Sequence, residues 1–441
     1  MNNILLHLWN QYKIYVFTAL SLTMLASVSL STGLMPLEQA RSANDFVDSI
    51  GVAVHISYRD TGYDKYNEII KPRLQELGVS HIRDGVRLED VDTQQKFLDL
   101  AKIGIKSTLV MDPRDENTSS RAVTVVKSIL ESVEAVEGPN EWEMHPELQY
   151  AGQSFPEGVR QFQAELYKAM KADPSTAYIP VLSPSILADH KAPELGKVAC
   201  DIGNIHHYPR GKWGIPIDGI EGKLTVGRIL CGNQSIIMTE SGYNTSVYDR
   251  SQYGVSEKVA AKYLLRLFLE YFNLGIKRFY TYELIDFKPN SQGSQSGWHY
   301  GLLRYDGSPK PDFIALKNLI SLLKDANKTK TSNLTSNLLN LKPLEATLQG
   351  NTTNIHQTLL QKSNGNFYLI LWQEVPSFEH QTKTELVVPK RLLTLTLNTP
   401  ISKAAIYQPV NSITPLKKYK NVKRLKLQVP DHPLVIELTP T

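Results

Sequence analysis

The sequence predicts an α/β fold, in which a (β/α)8 TIM barrel over residues 45–325 precedes a small antiparallel, sandwich-like β-domain over residues 355–441. Three observations predict it. Eight short runs rich in Val, Ile and aromatic residues alternate with longer amphipathic stretches. Several runs are apolar almost throughout, as expected for parallel strands that helices cover. Beyond residue 355 only short alternating runs remain, which is typical of antiparallel strands.

The first 44 residues predict a secretory signal peptide or an N-terminal membrane anchor. Residues 14–30 read IYVFTALSLTMLASVSL and contain no charge, and Lys13 precedes them. Small residues at Ala40, Ser42 and Ala43 offer a cleavage site of the secretory kind. The apolar run is nearly long enough to span a bilayer, so a single uncleaved anchor is the alternative. Either interpretation predicts an exported protein that is secreted, periplasmic or associated with the cell envelope.

The predicted barrel strands follow one another at regular intervals. Glycines at Gly78, Gly104 and Gly275 stand between amphipathic stretches and strands, where a helix commonly ends in a left-handed residue. The strongest helix pattern covers residues 256–274, with Ser256 as its N-cap. An open doubly wound sheet is the alternative, but it usually has fewer strands, and no Gly-x-Gly-x-x-Gly follows the first strand. The predicted strands are residues 51–57, 79–86, 105–112, 133–140, 178–185, 202–209, 234–241 and 277–284.

A change of composition separates the two predicted domains. Residues 326–354 are rich in Asn and Thr and predict a linker that crosses between the domains. In the C-terminal domain, apolar runs on either side of SNGN predict a hairpin. The domain contains no His/Cys spacing for a metal and no evident nucleophile motif. We therefore expect it to pack against the barrel, with sugar binding as the weaker alternative.

The composition is that of an ordinary globular protein, 41% hydrophobic and 21% charged. A formal net charge of +4 does not predict a nucleic-acid partner, and the basic residues between 417 and 426 are interpreted as a solvated strand edge or loop. Cys200 and Cys231 precede the sixth and seventh predicted strands, which begin side by side at the bottom of a barrel. In an exported protein this placement favours a disulfide, and two buried thiols are the alternative.

Two glutamates stand where predicted barrel strands end. Glu141, in VEGPNEWE, follows the fourth strand, and Glu240, in IIMTES, closes the seventh. Functional residues of such barrels lie at these strand ends, and strands four and seven lie nearly opposite each other. Glycosidic cleavage needs two facing carboxyl groups, one protonated to donate to the leaving oxygen and one ionised. A separation of about 5 Å predicts retention at the anomeric carbon, and one of about 6.5–9.5 Å predicts inversion.

The ordered set of rim motifs resembles the clan A glycoside hydrolases, in particular the family 5 and family 39 types. The matching residues are Asn140-Glu141 ending strand four, Glu240 ending strand seven, Arg83 in IRDG on strand two, and His206 and Tyr208 in IHHYP on strand six. The stretch GLLRYDGSPKPDFIALKNL at 301–319 resembles the segment that often closes such barrels. The resemblance covers roughly residues 50–325, the part in which a barrel is expected.

The resemblance implies a role for each matching residue. Glu141 would be the acid/base and Glu240 the nucleophile of a retaining reaction. Cations and hydrogen-bond donors beside a carboxylate favour its charged form. The supporting residues would be Asn140 on the sugar 2-hydroxyl, Arg83 and Tyr208 on the carboxylate of Glu240, and His206 in the same network.

Aromatic residues near the strand ends are the predicted platforms for sugar rings. Many clan members carry a tryptophan at the end of strand eight, whereas this chain has Tyr282 and Glu283 there. Glu283 is therefore the main competitor of Glu240 for the role of the second carboxylate. The predicted platforms are Trp142, Tyr243, Tyr282 and Trp298.

Metal and cofactor chemistry is not predicted. The adjacent His206 and His207 would point to opposite faces of a strand, and no partner set such as HExxH occurs. The predicted function is an exported, retaining glycoside hydrolase that cleaves a β-linked oligo- or polysaccharide. A transglycosylase with the same carboxylate pair and a non-catalytic carbohydrate-binding barrel are the alternatives. Carbohydrate is the predicted partner, and the sequence indicates neither the glycan nor the oligomeric state.

Overall fold

The computed structural model describes residues 32–37, 39–115, 118–209, 214–248, 254–289, 296–325 and 341–441. The predicted leader up to residue 31 and residues 326–340 of the predicted linker lie outside the described residues. Two short strands, β1 (Thr32–Pro36) and β2 (Arg41–Ser42), begin the described chain. None of the helices in the described ranges is both long enough and apolar enough to cross a bilayer.

Eight parallel strands form the predicted barrel. Strands β3 to β7 pair in chain order, β10 pairs with β3, and β9 and β8 follow β10 around the barrel. A parallel bridge between Leu182 and Ile202 joins β7 to β8 and closes the ring. The strands are shorter than predicted; the fourth barrel strand ends before Glu141, whereas the seventh still contains Glu240. The strands are β3 (Ile50–Ala53), β4 (His81–Gly85), β5 (Lys106–Val110), β6 (Val133–Glu137), β7 (Val181–Leu182), β8 (Gly203–His206), β9 (Ile236–Ser241) and β10 (Arg278–Thr281).

Helices connect and surround these strands. The Ser256 hydroxyl accepts from the Val259 amide at 3.2 Å, which confirms Ser256 as an N-cap. Gly78 and Gly275 follow helices with φ of +83° and +80°, the left-handed values predicted for them. The α-helices are α1 (Ala43–Asp48), α2 (Lys71–Leu77), α3 (Val91–Lys102), α4 (Ser119–Ser128), α5 (Glu157–Ala172), α6 (Ala192–Leu195), α7 (Ile220–Cys231), α8 (Glu257–Asn273) and α9 (Pro311–Leu323). A π-helix spans Tyr66–Ile70, and 3-10 turns span Gly62–Asp64, Pro113–Asp115, Leu130–Ser132, Trp142–Met144, Asp189–Lys191 and Ser296–Trp298.

Side chains fill the interior of the barrel. The ring of Tyr280 lies there fully buried, with its hydroxyl 2.7 Å from Oγ1 of Thr108. A Cβ atom at Gly51 would stand 2.4 Å from this ring, so the first barrel strand needs a glycine at that point. The interior is therefore a packed core, and space for a ligand is expected at the rim. The apolar cluster inside the barrel consists of Ala135, Leu182, Ile202, Ile237 and Tyr280.

The C-terminal domain is the predicted antiparallel β-domain. Its main sheet has the order β1-β11-β16-β18-β13-β12-β2, with β17 paired to β16, and β14 pairs with β15 separately. The strands are β11 (Ala346–Asn351), β12 (Ile355–Gln361), β13 (Phe367–Gln373), β14 (Phe378–Glu379), β15 (Thr384–Glu385), β16 (Arg391–Gln408), β17 (Ser412–Val429) and β18 (Leu434–Pro440). Strand β1 pairs antiparallel with β11, and β2 pairs parallel with β12. The start of the described chain thus belongs to the C-terminal sheet.

The two domains meet along α8. Arg266 is fully buried there, and its Nε donates to Glu374 at 2.7 Å while Nη1 donates to the carbonyl of Val375 at 3.0 Å. The indole of Trp372 donates to Glu270 at 3.1 Å and to Glu374 at 3.0 Å. Loss of one partner from a buried ion pair strongly destabilises a protein. These contacts therefore hold the two domains in one relative orientation.

Cys200 and Cys231 form a disulfide, as predicted for an oxidising compartment, with Cα atoms 6.0 Å apart. Cys200 precedes β8 and Cys231 ends α7, so the bond lies where the barrel strands begin. It closes a loop with a sequence separation of 31. In the chain-entropy model such a loop stabilises the fold by about 3–4 kcal/mol.

Candidate active site

Glu141 and Glu240 meet at the rim where the barrel strands end. Glu240 belongs to β9, and Glu141 stands four residues beyond the end of β6. One carboxylate oxygen of each and one ring nitrogen of His206 all lie within 4.8 Å of one another. Their side chains remain open to solvent, at 19% for Glu141 and 11% for Glu240. The two predicted carboxylates therefore share one solvent-facing cavity.

Arg83 joins three strand ends beneath this pair. Its Nη1 donates to Glu240 at 2.5 Å, and its Nε and Nη2 donate to the two oxygens of Glu137 at 2.9 and 2.7 Å. Nη2 also donates to Oδ1 of Asn140 at 2.6 Å. Arg83 is 4% exposed and Glu137 is completely buried. The guanidinium therefore orients Glu240 and Asn140 from below and balances a buried charge that was not predicted to belong to the site.

Glu240 is held in its ionised form. The phenol of Tyr208 donates to Oε2 of Glu240 at 2.7 Å, opposite the oxygen that Arg83 contacts. Burial by itself would raise the pKa of Glu240, but the charges of His206 and Arg83 and these hydrogen bonds lower it to about 2. At neutral pH this side chain is an oriented carboxylate with both oxygens contacted.

The turn after β6 presents Glu141 with a left-handed backbone, at φ +49°. A Cβ at Gly138 would stand 2.1 Å from Oε1 of Gln163, whose amide nitrogen donates to two backbone carbonyls, so a larger residue would displace that side chain. Asp112 then fixes the turn from beneath, since it accepts from the Asn140 amide at 3.0 Å and from the indole of Trp142 at 3.1 Å. The Gly-Pro-Asn-Glu-Trp sequence thus aims one carboxylate into the cavity.

His206 connects the two carboxylates to the barrel interior. Its Nδ1 lies 2.6 Å from Glu141 and 3.6 Å from Glu240, and its Nε2 lies 2.9 Å from the Thr239 hydroxyl. That hydroxyl donates to Asn204 at 2.8 Å, so it accepts from Nε2–H. Burial lowers the pKa of His206, but the charge of Glu240 and the bond to Glu141 raise it overall. His207 points the other way, with Nδ1 2.5 Å from the Tyr271 hydroxyl, as expected for neighbours on a strand.

Aromatic rings line the cavity beside Glu240. Tyr208 lies edge-on to Tyr300 at 5.3 Å and near Tyr282 at 6.4 Å. His55, which follows β3, lies 5.6 Å from Tyr282 and stacks on Tyr58 at 4.7 Å. Burial lowers the pKa of His55 to about 4, so its imidazole is neutral at pH 7. This wall is apolar with polar edges, which suits a sugar ring.

The predicted aromatic platforms have different surroundings. Tyr282 lies in the cavity wall described above. Tyr243 is buried against Tyr263, with its hydroxyl donating to Gly214, and Trp142 is buried on Asp112. Trp298 is half-buried in a 3-10 turn, and its carbonyl accepts from the Phe287 amide at 3.2 Å. Tyr300, two residues further on, is the residue of this loop that contacts Tyr208.

Glu283, the predicted competitor of Glu240, and the nearby rim residue Glu143 occupy other environments. Glu283 is completely buried, accepts from the Tyr63 hydroxyl at 3.0 Å, and has a pKa that burial raises well above its usual range. Its complete burial keeps it from the contact with substrate that a nucleophile needs. Glu143 accepts from the amides of Leu187 and Ala188 at 2.6 and 3.0 Å, so it fastens the loop after β7.

Glu141, His206 and Glu240 also have the donor types of a metal site. Arg83, however, already places a permanent cation 2.5 Å from Glu240. Tyr208 donates a proton to the other oxygen of that carboxylate, at 2.7 Å. Both oxygens of Glu240 are thus committed to hydrogen-bond donors, which fits a catalytic carboxylate better than a metal ligand.

Comparison with known proteins places this arrangement on a familiar fold. No family model and no curated protein matches the sequence. The structure is similar to a family 39 glycoside hydrolase from the gut symbiont Bacteroides cellulosilyticus WH2, with a TM-score of 0.57 and 16% identity over 90% of this chain and 82% of that one. It is also similar to a glucosidase from Croceicoccus marinus, with a TM-score of 0.56 and 11% identity over 92% of this chain and 98% of that one. The chain therefore has a fold found among glycoside hydrolases, as the resemblance of its motifs implied.

Proposed function

We propose that the protein is a retaining glycoside hydrolase that cleaves β-glycosidic bonds of an oligo- or polysaccharide. The observation that supports this most directly is the approach of the Glu141 and Glu240 carboxyl oxygens to within 4.8 Å. Retaining enzymes keep these groups about 5–5.5 Å apart, whereas inverting enzymes need about 6.5–9.5 Å to admit a water. The cavity leaves no such gap between the two glutamates.

In the first step, Glu240 attacks the anomeric carbon while Glu141 gives its proton to the leaving oxygen. Glu240 suits this role because Arg83 and Tyr208 keep it ionised and fix both of its oxygens. The carbon–oxygen bond to the aglycone breaks as the bond to Glu240 forms, which leaves a glycosyl-enzyme. Asn140 accepts from Arg83 through Oδ1, so its amide nitrogen remains to donate to the sugar 2-hydroxyl.

In the second step, Glu141 takes a proton from water, and the resulting hydroxide oxygen attacks the anomeric carbon and releases Glu240. His206 prepares Glu141 for both steps. Thr239 accepts from Nε2–H, so the neutral ring offers Nδ1 as an acceptor to a protonated Glu141. While this proton rests on His206 instead, Nδ1–H donates to the ionised Glu141 across the same contact, so the two groups hold one proton between them.

We also infer that the protein works outside the cytoplasm. The apolar run at 14–30 and the disulfide between Cys200 and Cys231 support this independently. A fusion to a reporter that is active in only one compartment would test it. Reporter activity confined to the cytoplasm would contradict export.

The hydrolase proposal is tested with aryl β-glycosides, and 1H NMR follows the configuration of the product. The parent should release product with retained configuration. Glu141→Ala should lose about 10²–10⁴-fold in turnover on substrates with poor leaving groups and far less on activated ones. With azide, Glu240→Ala should form the glycosyl azide of opposite configuration, and Glu141→Ala the azide of retained configuration.

Glu143→Gln is the matched control. Glu143 also lies at the rim, but its side chain accepts hydrogen bonds from the backbone amides of a loop and is not part of the Glu141–Glu240 pair. This variant should keep the parent's turnover. Inverted product from the parent enzyme, or undiminished turnover in Glu240→Ala, would contradict the assignment.

A further inference from the structure

The exposed hairpin of β16 and β17 concentrates positive charge in the C-terminal sheet. Residues 386–430 contain nine Lys and Arg and no Asp or Glu, although the whole chain has a net charge of only +4. The rest of the chain therefore has a net charge of −5. We call this hairpin, Arg391–Gln408 with Ser412–Val429, the basic ribbon.

Apart from Arg391, which donates to the carbonyl of Thr353, the cations of the basic ribbon are not used within the described part of the fold. Lys403 stands directly opposite Lys420 in the register of the two strands, and both are exposed. Like charges placed opposite each other destabilise a sheet. Arg424 and Lys426 are exposed on either side of the buried Leu425, and in the described part of the chain neither they nor Lys420 form an ion pair or a side-chain hydrogen bond. The repulsion between these positive side chains is thus not balanced by ion pairs within the described part of the chain.

Protection of a sheet edge accounts for only part of this charge. Strand β17 pairs only with β16 among the described strands, and lysines commonly keep such an edge from pairing with other chains. Lys403, however, lies on β16, which is an inner strand paired with β11, β17 and β18. A cation there does not protect an edge. A negatively charged partner would relieve the repulsion between Lys403 and Lys420.

Exposed apolar side chains accompany the cations. Leu392, Ile413 and Leu416 of the basic ribbon are 69%, 51% and 56% exposed, and neighbouring Val387 is 95% exposed. Nucleic acids and acidic polysaccharides would satisfy the charges but not these aliphatic groups. An anionic bilayer surface satisfies both, since basic side chains meet its headgroups and apolar ones enter the boundary with the acyl chains.

The position of the N-terminal strand favours the same partner. Strand β1 begins at Thr32, directly after the uncharged run at 14–30, and pairs with β11, which pairs with β16. Adjacent strands are about 4.8 Å apart, so Thr32 lies within about 10 Å of the basic ribbon. We propose that the basic ribbon docks this protein onto an anionic phospholipid surface. This proposal does not depend on the hydrolase function.

Vesicle sedimentation tests the proposal with a chain of residues 31–441, which retains all the described elements and lacks the apolar run. The chain should sediment with vesicles that contain about 30% phosphatidylglycerol and not with pure phosphatidylcholine. Raising salt from about 0.05 M to about 0.5 M should release it, because the Debye length shortens. Absence of binding to the anionic vesicles at low salt would overturn the proposal.

The triple variant Lys420→Gln, Arg424→Gln and Lys426→Gln should lower the vesicle partition coefficient by about 100-fold, since each basic residue at an anionic surface contributes roughly fivefold. The matched control removes three exposed lysines from barrel helices, Lys102→Gln, Lys168→Gln and Lys258→Gln, and should bind like the parent. Thermal melting checks that both variants stay folded. Equal loss in both variants would mean that only net charge matters and would refute a specific surface, as would tighter binding to DNA or alginate than to the vesicles.

Discussion

Arg83 is the permanent cation between Glu137, Asn140 and Glu240, so its replacement by methionine tests the electrostatic account of the site. The variant keeps an unbranched apolar stem of similar reach and removes four hydrogen bonds. It leaves the fully buried Glu137 without a counterion. Removing one partner of a buried pair costs about 3–5 kcal/mol, so we expect the free energy of unfolding at pH 7 to fall by about 4 kcal/mol.

The pH dependence of this loss has a definite sign. The pKa of Glu240 in the folded protein is lowered to about 2, whereas a glutamate in the unfolded chain titrates at about 4.3. The stabilisation from Glu240 is therefore fully present above about pH 4.3 and disappears as the pH falls through about 2. The difference between the parent and Arg83→Met should be largest near neutral pH and should shrink in acid. Urea denaturation at a series of pH values measures it.

The pH dependence of activity measures the same interaction, between Arg83 and Glu240, independently. An adjacent cation lowers a carboxylate pKa by about 1–3 units, so the acid limb of kcat/KM should move upward by that amount in Arg83→Met. Glu137→Gln combined with Arg83→Met removes the stranded buried charge, so it should recover part of the lost stability but not the acid limb. A single variant that unfolded like the parent and kept its acid limb would refute the reasoning.

Three further changes probe other parts of the fold. Thr239→Val removes the acceptor of His206 Nε2–H at constant shape, so kcat/KM should fall about tenfold for poor leaving groups and less for activated aryl ones. Equal losses on both substrate types would exclude a role in proton transfer. Cys200→Ser should lower the free energy of unfolding by about 3 kcal/mol in urea and leave turnover at 25 °C unchanged. Arg266→Leu leaves Glu374 as an unpaired charge between the domains and should lower the free energy of unfolding by about 3–5 kcal/mol. Adding Glu374→Leu should restore much of this stability. A double variant no more stable than the single one would contradict the pairing.

The barrel and its main rim residues could be predicted because they depend on local patterns. Strand and helix periodicity repeats within each segment, and Asn140, Glu141 and Glu240 directly follow apolar runs. Glu137 lies within the fourth predicted strand, where the local pattern indicates only a strand residue, yet it is the principal partner of Arg83. Its spacing of two from Ala135, which points into the barrel, could have indicated that it is buried.

Long-range pairing could not be predicted from local patterns. Strand β1 pairs with β11, more than 300 residues later in the chain, and no periodicity identifies such a partner. The aromatic residues were equally ambiguous, because a ring after a strand can face the cavity or the core. Tyr282 faces the cavity and Tyr243 the core, and only the packing of α8, which supplies Tyr263, separates the two cases.

The charges of the site explain why one mobile proton is enough to assist cleavage of the glycosidic bond. Glu137, Glu141 and Glu240 bring three negative charges, and Arg83 brings one permanent positive charge. One proton shared between Glu141 and His206, 2.6 Å apart, leaves a net charge of −1 around the anomeric carbon. The oxocarbenium-like transition state develops a positive charge at that carbon, which a preorganised negative environment stabilises. Giving this proton to the leaving oxygen makes the site more negative as the sugar becomes more positive, so proton transfer and bond cleavage assist each other.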